Sequence, residues 1–285
     1  MKLRALALAA IVFGLGACEP SSSGEAEKST TPPPEKPAAQ EKAPEAKLDP
    51  ATLKKDAQQV ALVPSPAEME KTLSNAGVGA KLATMVKDRD IKMDVDNKDQ
   101  LAVRTGVVLA DLVLTVKESP KERIAQRLDR LAEGLDKLGA GKDVQAEIAD
   151  MKTRIENDAV NRDDLVKEFD ELSGVMVPEL EYEAGEWVVP LIQAGSWLEG
   201  AHLVSGAVKE AGKIDAADNL LRQPAVVDYF IKYVEREGGE KAPDEVVAKL
   251  KETLTTLKTV TSKPKLGAED VDTIHSSTGA VLTLL

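Results

Sequence analysis

The chain has 285 residues and a formal net charge of −12, with 42% hydrophobic but only 3% aromatic residues. So acidic a balance argues against a nucleic-acid partner and against adhesion to anionic lipid through a basic patch. One cysteine and two histidines leave no disulfide framework and few metal ligands, so packing must hold the folded part together.

At the start of the chain, Lys2 and Arg4 precede an uncharged run from Ala5 to Ala17, the layout of an export signal. The run is 13 residues long, well short of the roughly 20 that span a bilayer as a helix. It ends in Leu15-Gly16-Ala17-Cys18, which resembles the lipobox of bacterial lipoproteins. That resemblance implies cleavage before Cys18, acylation of its thiol and a place in the cell envelope. Two or three acyl chains anchor stably where a single chain holds only marginally. Loss of residues 1–17 removes Lys2 and Arg4 and takes the formal charge from −12 to −14. Glu19 after the acylated cysteine, by analogy with enteric bacteria, favours the outer membrane.

From Glu19 to Lys47 the sequence carries six prolines, no aromatic residue and almost nothing apolar larger than alanine. It cannot bury enough surface to offset its ordering entropy. Residues 18–50 therefore read as a lipidated cysteine followed by a disordered tether, spanning about 30 Å as a coil. Residues 51–285 form the body.

In the body, alternating strand patterns are nearly absent while helix starts and stops recur. Ser65-Pro66-Ala67-Glu68 and Ser119-Pro120-Lys121-Glu122 each set a capping serine, a first-turn proline and a glutamate at capping-box spacing. Apolar spacing between breakers predicts helices near 66–76, 80–87, 98–117, 120–138, 143–158, 162–176, 186–212, 215–237, 244–261 and 268–284. The expected product is an all-α fold, an irregular bundle of nine to ten helices after the tether. Two helices look central. Between Leu101 and Val116 the only polar residues are Arg104, Thr105, Asp111 and Thr115, and three of these, Arg104, Asp111 and Thr115, share one stripe. Residues 187–212 are apolar on nearly every side and carry Gly195, Gly200, Gly206 and Gly212, which implies close approach of another backbone.

Val63-Pro64-Ser65-Pro66, the run Gly106 to Leu112 and Trp197-Leu198-Glu199-Gly200 together resemble a group of helical lipoproteins seen mostly in Bacteroidetes. Its members show the same short motifs in the same order. The resemblance covers about residues 60–215; it implies a helical fold and an envelope location, and it carries no activity.

Each histidine has an acid three residues before it, in Glu199-Gly200-Ala201-His202 and Asp272-Thr273-Ile274-His275. On helices that spacing shares a face, and paired Glu-x-x-His elements hold metals in ferritin-like bundles. Asp111, with Glu181, Glu183 or Glu186, would complete such a set. The plainer expectation is that no cofactor is bound, that the histidines are packed or exposed, and that Asp111 bonds Arg104 or a helix end. Six of the eight aromatics, namely Tyr182, Trp187, Trp197, Tyr229, Phe230 and Tyr233, lie close enough in sequence to line a ligand groove or to build a core. Trp187, Trp197, Tyr229, Tyr233, Asp111 and Arg104 are the candidate ligand contacts.

Gly139-Ala140-Gly141-Lys142 lacks the remaining residues of a phosphate loop and reads as a helix end and turn. Asp88-Arg89-Asp90 and Asp94-Val95-Asp96-Asn97 lack the glycine and glutamate of a calcium loop and read as solvated loop plus helix cap. With no hydrolase elbow or zinc-protease motif, the expected function is a non-enzymatic binding or scaffold module anchored through Cys18, its partner an envelope protein or cell-wall component. The alternatives are a metal-binding bundle using Glu199, His202, Asp272 and His275, and a small-ligand carrier with an aromatic-lined cavity.

Overall fold

The computed structural model describes residues 64–78, 82–86, 91–185, 187–241 and 244–283. The signal, Cys18, the tether, Asp88 to Asp90 and Glu186 lie outside the described residues. The chain divides into two units, Met1–Lys47 and Leu48–Leu285, and every described residue lies in the second.

Among the described residues the fold is all-α, with eleven α-helices, one 3-10 turn and no strand. In chain order these are α1 (Pro66–Ala76), α2 (Leu82–Met85), α3 (Lys98–Thr115), α4 (Lys121–Leu138), α5 (Lys142–Glu156) and α6 (Arg162–Ala184). Then follow α7 (Val188–Glu210), a 3-10 turn (Ile214–Ala216), α8 (Ala217–Leu220), α9 (Pro224–Lys241), α10 (Asp244–Thr261) and α11 (Ala268–Leu282).

Some helix starts are capped as the local sequence leads one to expect, and one expected cap fails. Ser65 Oγ accepts from Glu68 N at 3.1 Å while Glu68 Oε2 accepts from Ser65 N at 2.9 Å, so the first capping box closes. Asn97 caps α3 by accepting from Gln100 N at 3.0 Å. The second expected box does not form. Ser119 N donates back to the Thr115 carbonyl at 2.9 Å, which closes the last turn of α3. That geometry turns the Ser119 hydroxyl away from the first amides of α4, to donate to Thr115 Oγ1 at 3.1 Å and to accept from the Arg127 side chain at 3.3 Å.

Two helix extents differ from the spacing-based reading. The helix expected over 162–176 continues to Ala184, because one interior proline, Pro178, removes a single ladder bond and residues 179–184 favour helix. It stops at Gly185, with φ of 104°. The helix expected over 215–237 is broken instead, since Pro224 can open α9 but cannot continue α8.

Two apolar cores share α3 and α7. One face of α3, with Val107, Ala110 and Leu114, joins a core built with α1, α2, the later turns of α7 and α8 to α11. Its other face, with Leu101, Val108, Leu112 and Val113, joins α4, α5, α6 and the first turns of α7. A helix flanked by apolar neighbours on both sides needs no polar face, which accounts for the composition of these two elements.

The two helices touch through glycine. A Cβ on Gly195 would be 2.9 Å from Val103 C and 3.1 Å from Val107 N, and one on Gly106 would be 2.9 Å from Ser196 N. Ser196 Oγ donates to the Gly106 carbonyl at 2.9 Å. Further along both helices Leu114 lies against Gly200, so α3 and α7 run in the same direction.

Candidate functional site

The two histidines, 73 residues apart in sequence, meet where α7 crosses α11. Their rings stack with centroids 4.1 Å apart and planes inclined by 7°. His202 Nδ1 lies 3.0 Å from the His275 carbonyl, and His275 Nδ1 lies 3.0 Å from the His202 carbonyl. A carbonyl oxygen only accepts, so both Nδ1 atoms carry hydrogen and Nε2 is the basic nitrogen of each neutral ring.

The exchange is reciprocal around a local two-fold. Ser205 Oγ is 3.3 Å from His275 Nδ1, and Thr278 Oγ1 is 3.4 Å from His202 Nδ1. A Cβ on Gly206 would be 3.2 Å from the His275 ring, and one on Gly279 would be 2.9 Å from the His202 ring. His202 thus sits over Gly279 and His275 over Gly206, which makes the two helices antiparallel. Both helices carry the same eight-residue pattern, Glu199-x-x-His202-x-x-Ser205-Gly206 and Asp272-x-x-His275-x-x-Thr278-Gly279. The acid-to-histidine half of this pattern is evident on inspection of the sequence; the hydroxyl-glycine half was missed, although its repeated spacing was a usable signal.

The acids of the pattern diverge in role. Asp272 forms an ion pair with Lys209 at 2.6 Å. Glu199 is completely buried, and Asp111 is 4% exposed. Asp111 follows Val107 by four residues and Glu199 follows Gly195 by four. Because Val107 lies against Gly195 in a parallel pair, the two carboxylates occupy the same level, one turn past the glycine contact. Around this level Thr115 donates to the Asp111 carbonyl at 2.6 Å, and Arg127 donates to Thr115 Oγ1 at 2.9 Å.

The four metal candidates do not gather. His202 and His275 come together through Nδ1 atoms already donating to carbonyls, Asp272 is held by Lys209, and Glu199 is completely buried. Among the described residues no group of three or more His, Cys, Asp or Glu side chains is placed to hold a metal ion. The hydroxyls near the rings are poorly placed as nucleophiles. Ser205 is buried and donates to the His202 carbonyl at 2.9 Å, and Thr278 is buried and donates to the Ile274 carbonyl at 2.7 Å.

The expected pairing of Arg104 with Asp111 is replaced by a loop contact: Arg104 donates to the Lys92 carbonyl at 2.6 Å. Burial lowers its pKa from the ordinary guanidinium value. The aromatics split between core and helix ends. Trp197 is buried, packs against Phe230 with centroids 5.8 Å apart, and donates from Nε1 to Gln223 at 2.9 Å. Tyr229 packs on Phe230 at 5.3 Å. Trp187 donates to the Ala184 carbonyl at 2.8 Å, and Tyr233 reaches the Trp187 carbonyl at 3.4 Å. Tyr182 stands in solvent, 86% exposed.

Among the described residues no helix is long and apolar enough to cross a membrane. No protein-family model matches the chain, and no curated protein or solved structure is detectably similar to it.

Proposed function

We propose that this chain is a lipid-anchored envelope protein, held at the outer membrane by acyl chains on Cys18, whose helical body is a non-enzymatic binding or scaffold module. The observation that supports this reading best is where its chemically capable side chains go. Both histidines donate to carbonyls across a helix crossing, and the hydroxyls beside them are bonded to their own helices. The indole of Trp197 and the ring of Phe230 fill the core. Side chains spent on joining helices leave the surface to do the work, and a proline-rich spacer ahead of the body gives that surface reach. The partner is an envelope protein or a cell-wall component.

Anchor and partner are tested separately. Cys18→Ala is expected to move the protein from the membrane fraction to the soluble fraction, or to leave the precursor unprocessed. A mutant that matures and partitions like the native protein overturns the anchor. Crosslinking in native cells followed by capture is expected to return a stoichiometric partner that a Tyr182→Ser variant retains less well. Capture of the bait alone argues against the scaffold reading.

A further inference from the structure

We propose that Met85 is an oxidation site: a peroxide converts its thioether to the sulfoxide, and the added oxygen loosens α2 from its seat on α7. The other methionines among the described residues are closed to a reagent in solution, Met69 being 7% exposed, Met93 0%, Met151 1% and Met176 2%. Met85 is half-buried, packed against the core from its edge, and follows Thr84, which is exposed. Oxidation of methionine follows access to the sulfur, so Met85 is the one that a peroxide reaches first.

What the side chain touches gives the modification a consequence. A Cβ on Gly206 would be 3.7 Å from Met85 Sδ and 3.2 Å from the His275 ring. The sulfur therefore rests on α7 at the same glycine that admits the ring from α11. α2 is only four residues long, and a helix of one turn has no stability of its own. Its hold on the core comes from Leu82 and Met85, with Val86 just beyond. Loss of one of these three contacts is a large part of the whole.

The step needs no catalytic group. A lone pair on sulfur takes one oxygen of hydrogen peroxide, the O–O bond breaks, an S–O bond forms and water leaves. Sulfur loses two electrons and the peroxide gains them. A dithiol reductase reverses the change, the oxygen leaving as water while the dithiol closes to a disulfide. A thioether fills an irregular apolar gap well, whereas a sulfoxide oxygen is a strong acceptor. Left in the contact with Gly206 it must find a donor or carry the cost of a buried polar group, and His275 Nδ1 already donates to the His202 carbonyl. Turning the oxygen to water lifts Met85, and with it the end of α2.

The test treats the full chain with hydrogen peroxide and follows each methionine by peptide mapping. Met85 is expected to gain one oxygen about tenfold faster than Met93, Met151 and Met176, because access governs the rate. In the protein oxidised at Met85, hydrogen exchange is read at the Val86 amide, which donates to the Leu82 carbonyl at 3.1 Å, with α4 as internal reference. That amide is expected to exchange about tenfold faster than in the untreated protein, the scale of one polar group placed in an apolar contact. A methionine sulfoxide reductase should restore the original rate. Met85→Leu keeps the apolar volume and has no sulfur, so the same peroxide treatment should leave its Val86 amide unchanged. Met85 reacting no faster than the buried methionines overturns the site. An unchanged Val86 amide in the oxidised protein, or an equal acceleration in treated Met85→Leu, overturns the loosening of α2.

Discussion

α7 makes two close helix crossings, and they are built on different chemistry. Against α3 the contact is glycine to backbone, at Gly106 and Gly195, with one hydroxyl bond from Ser196. Against α11 the contact is ring to glycine, with two reciprocal Nδ1 to carbonyl bonds. At the first crossing nothing soft lies between the helices, so any added atom must separate two backbones. At the second a side chain fills the gap, and a side chain can tilt. One crossing is set by rigid backbone contact, the other by a side chain that can give way.

The sharpest way to break that contrast is Gly195→Ala. Alanine gains about 1 kcal/mol of helix propensity over glycine, but its Cβ would press on the Val103 carbonyl and the Val107 amide. Overpacking against rigid backbone outweighs the gain, and a net loss of about 2 to 3 kcal/mol is expected in urea unfolding. A variant as stable as the native protein would mean that α3 and α7 are not locked at this point. Gly279→Ala meets only the His202 ring, at 2.9 Å from Cε1. Ring tilt and improved propensity nearly offset each other, so the expected loss is under about 1 kcal/mol. A loss as large as that of Gly195→Ala would show the ring to be as unyielding as backbone.

How much of this the sequence disclosed depends on the range of the interaction. Most of the helices, the Ser65 box and the central standing of α3 and α7 are written in local spacing and in the lack of a polar face, and these are present in the fold. The missed Ser119 box shows where local reading ends: the same four-residue pattern fails when the preceding helix claims the serine. The expected Arg104 to Asp111 bond fails for a geometric reason. Seven residues along a helix are about 10 Å apart, so sharing a stripe does not bring the groups into contact, and a loop carbonyl at Lys92 is nearer. The acid-x-x-His repeats drew attention to the correct residues. Which helices cross, and that they cross antiparallel, is settled by the packing of two whole cores and lies beyond any short motif.

The smallest expected effect lies at the start of α11. At the start of α11 the Asp270 carboxylate accepts from Gly267 N at 2.9 Å and pairs with Lys263. The Gly267 hydrogen bond, and then the Lys263 ammonium, hold its pKa below the usual carboxylate value. A depressed folded-state pKa means that the carboxylate contributes stability above the unfolded value of about 3.9 and loses it as pH falls through the folded one. Asp270→Asn should therefore cost about 0.5 to 1 kcal/mol at pH 7, the worth of a helix N-terminal carboxylate, and flatten the stability profile only below about pH 4. An Asp270 variant as stable as the native protein at pH 7 would mean that α11 is held by its crossing with α7 and not by its N-terminal cap.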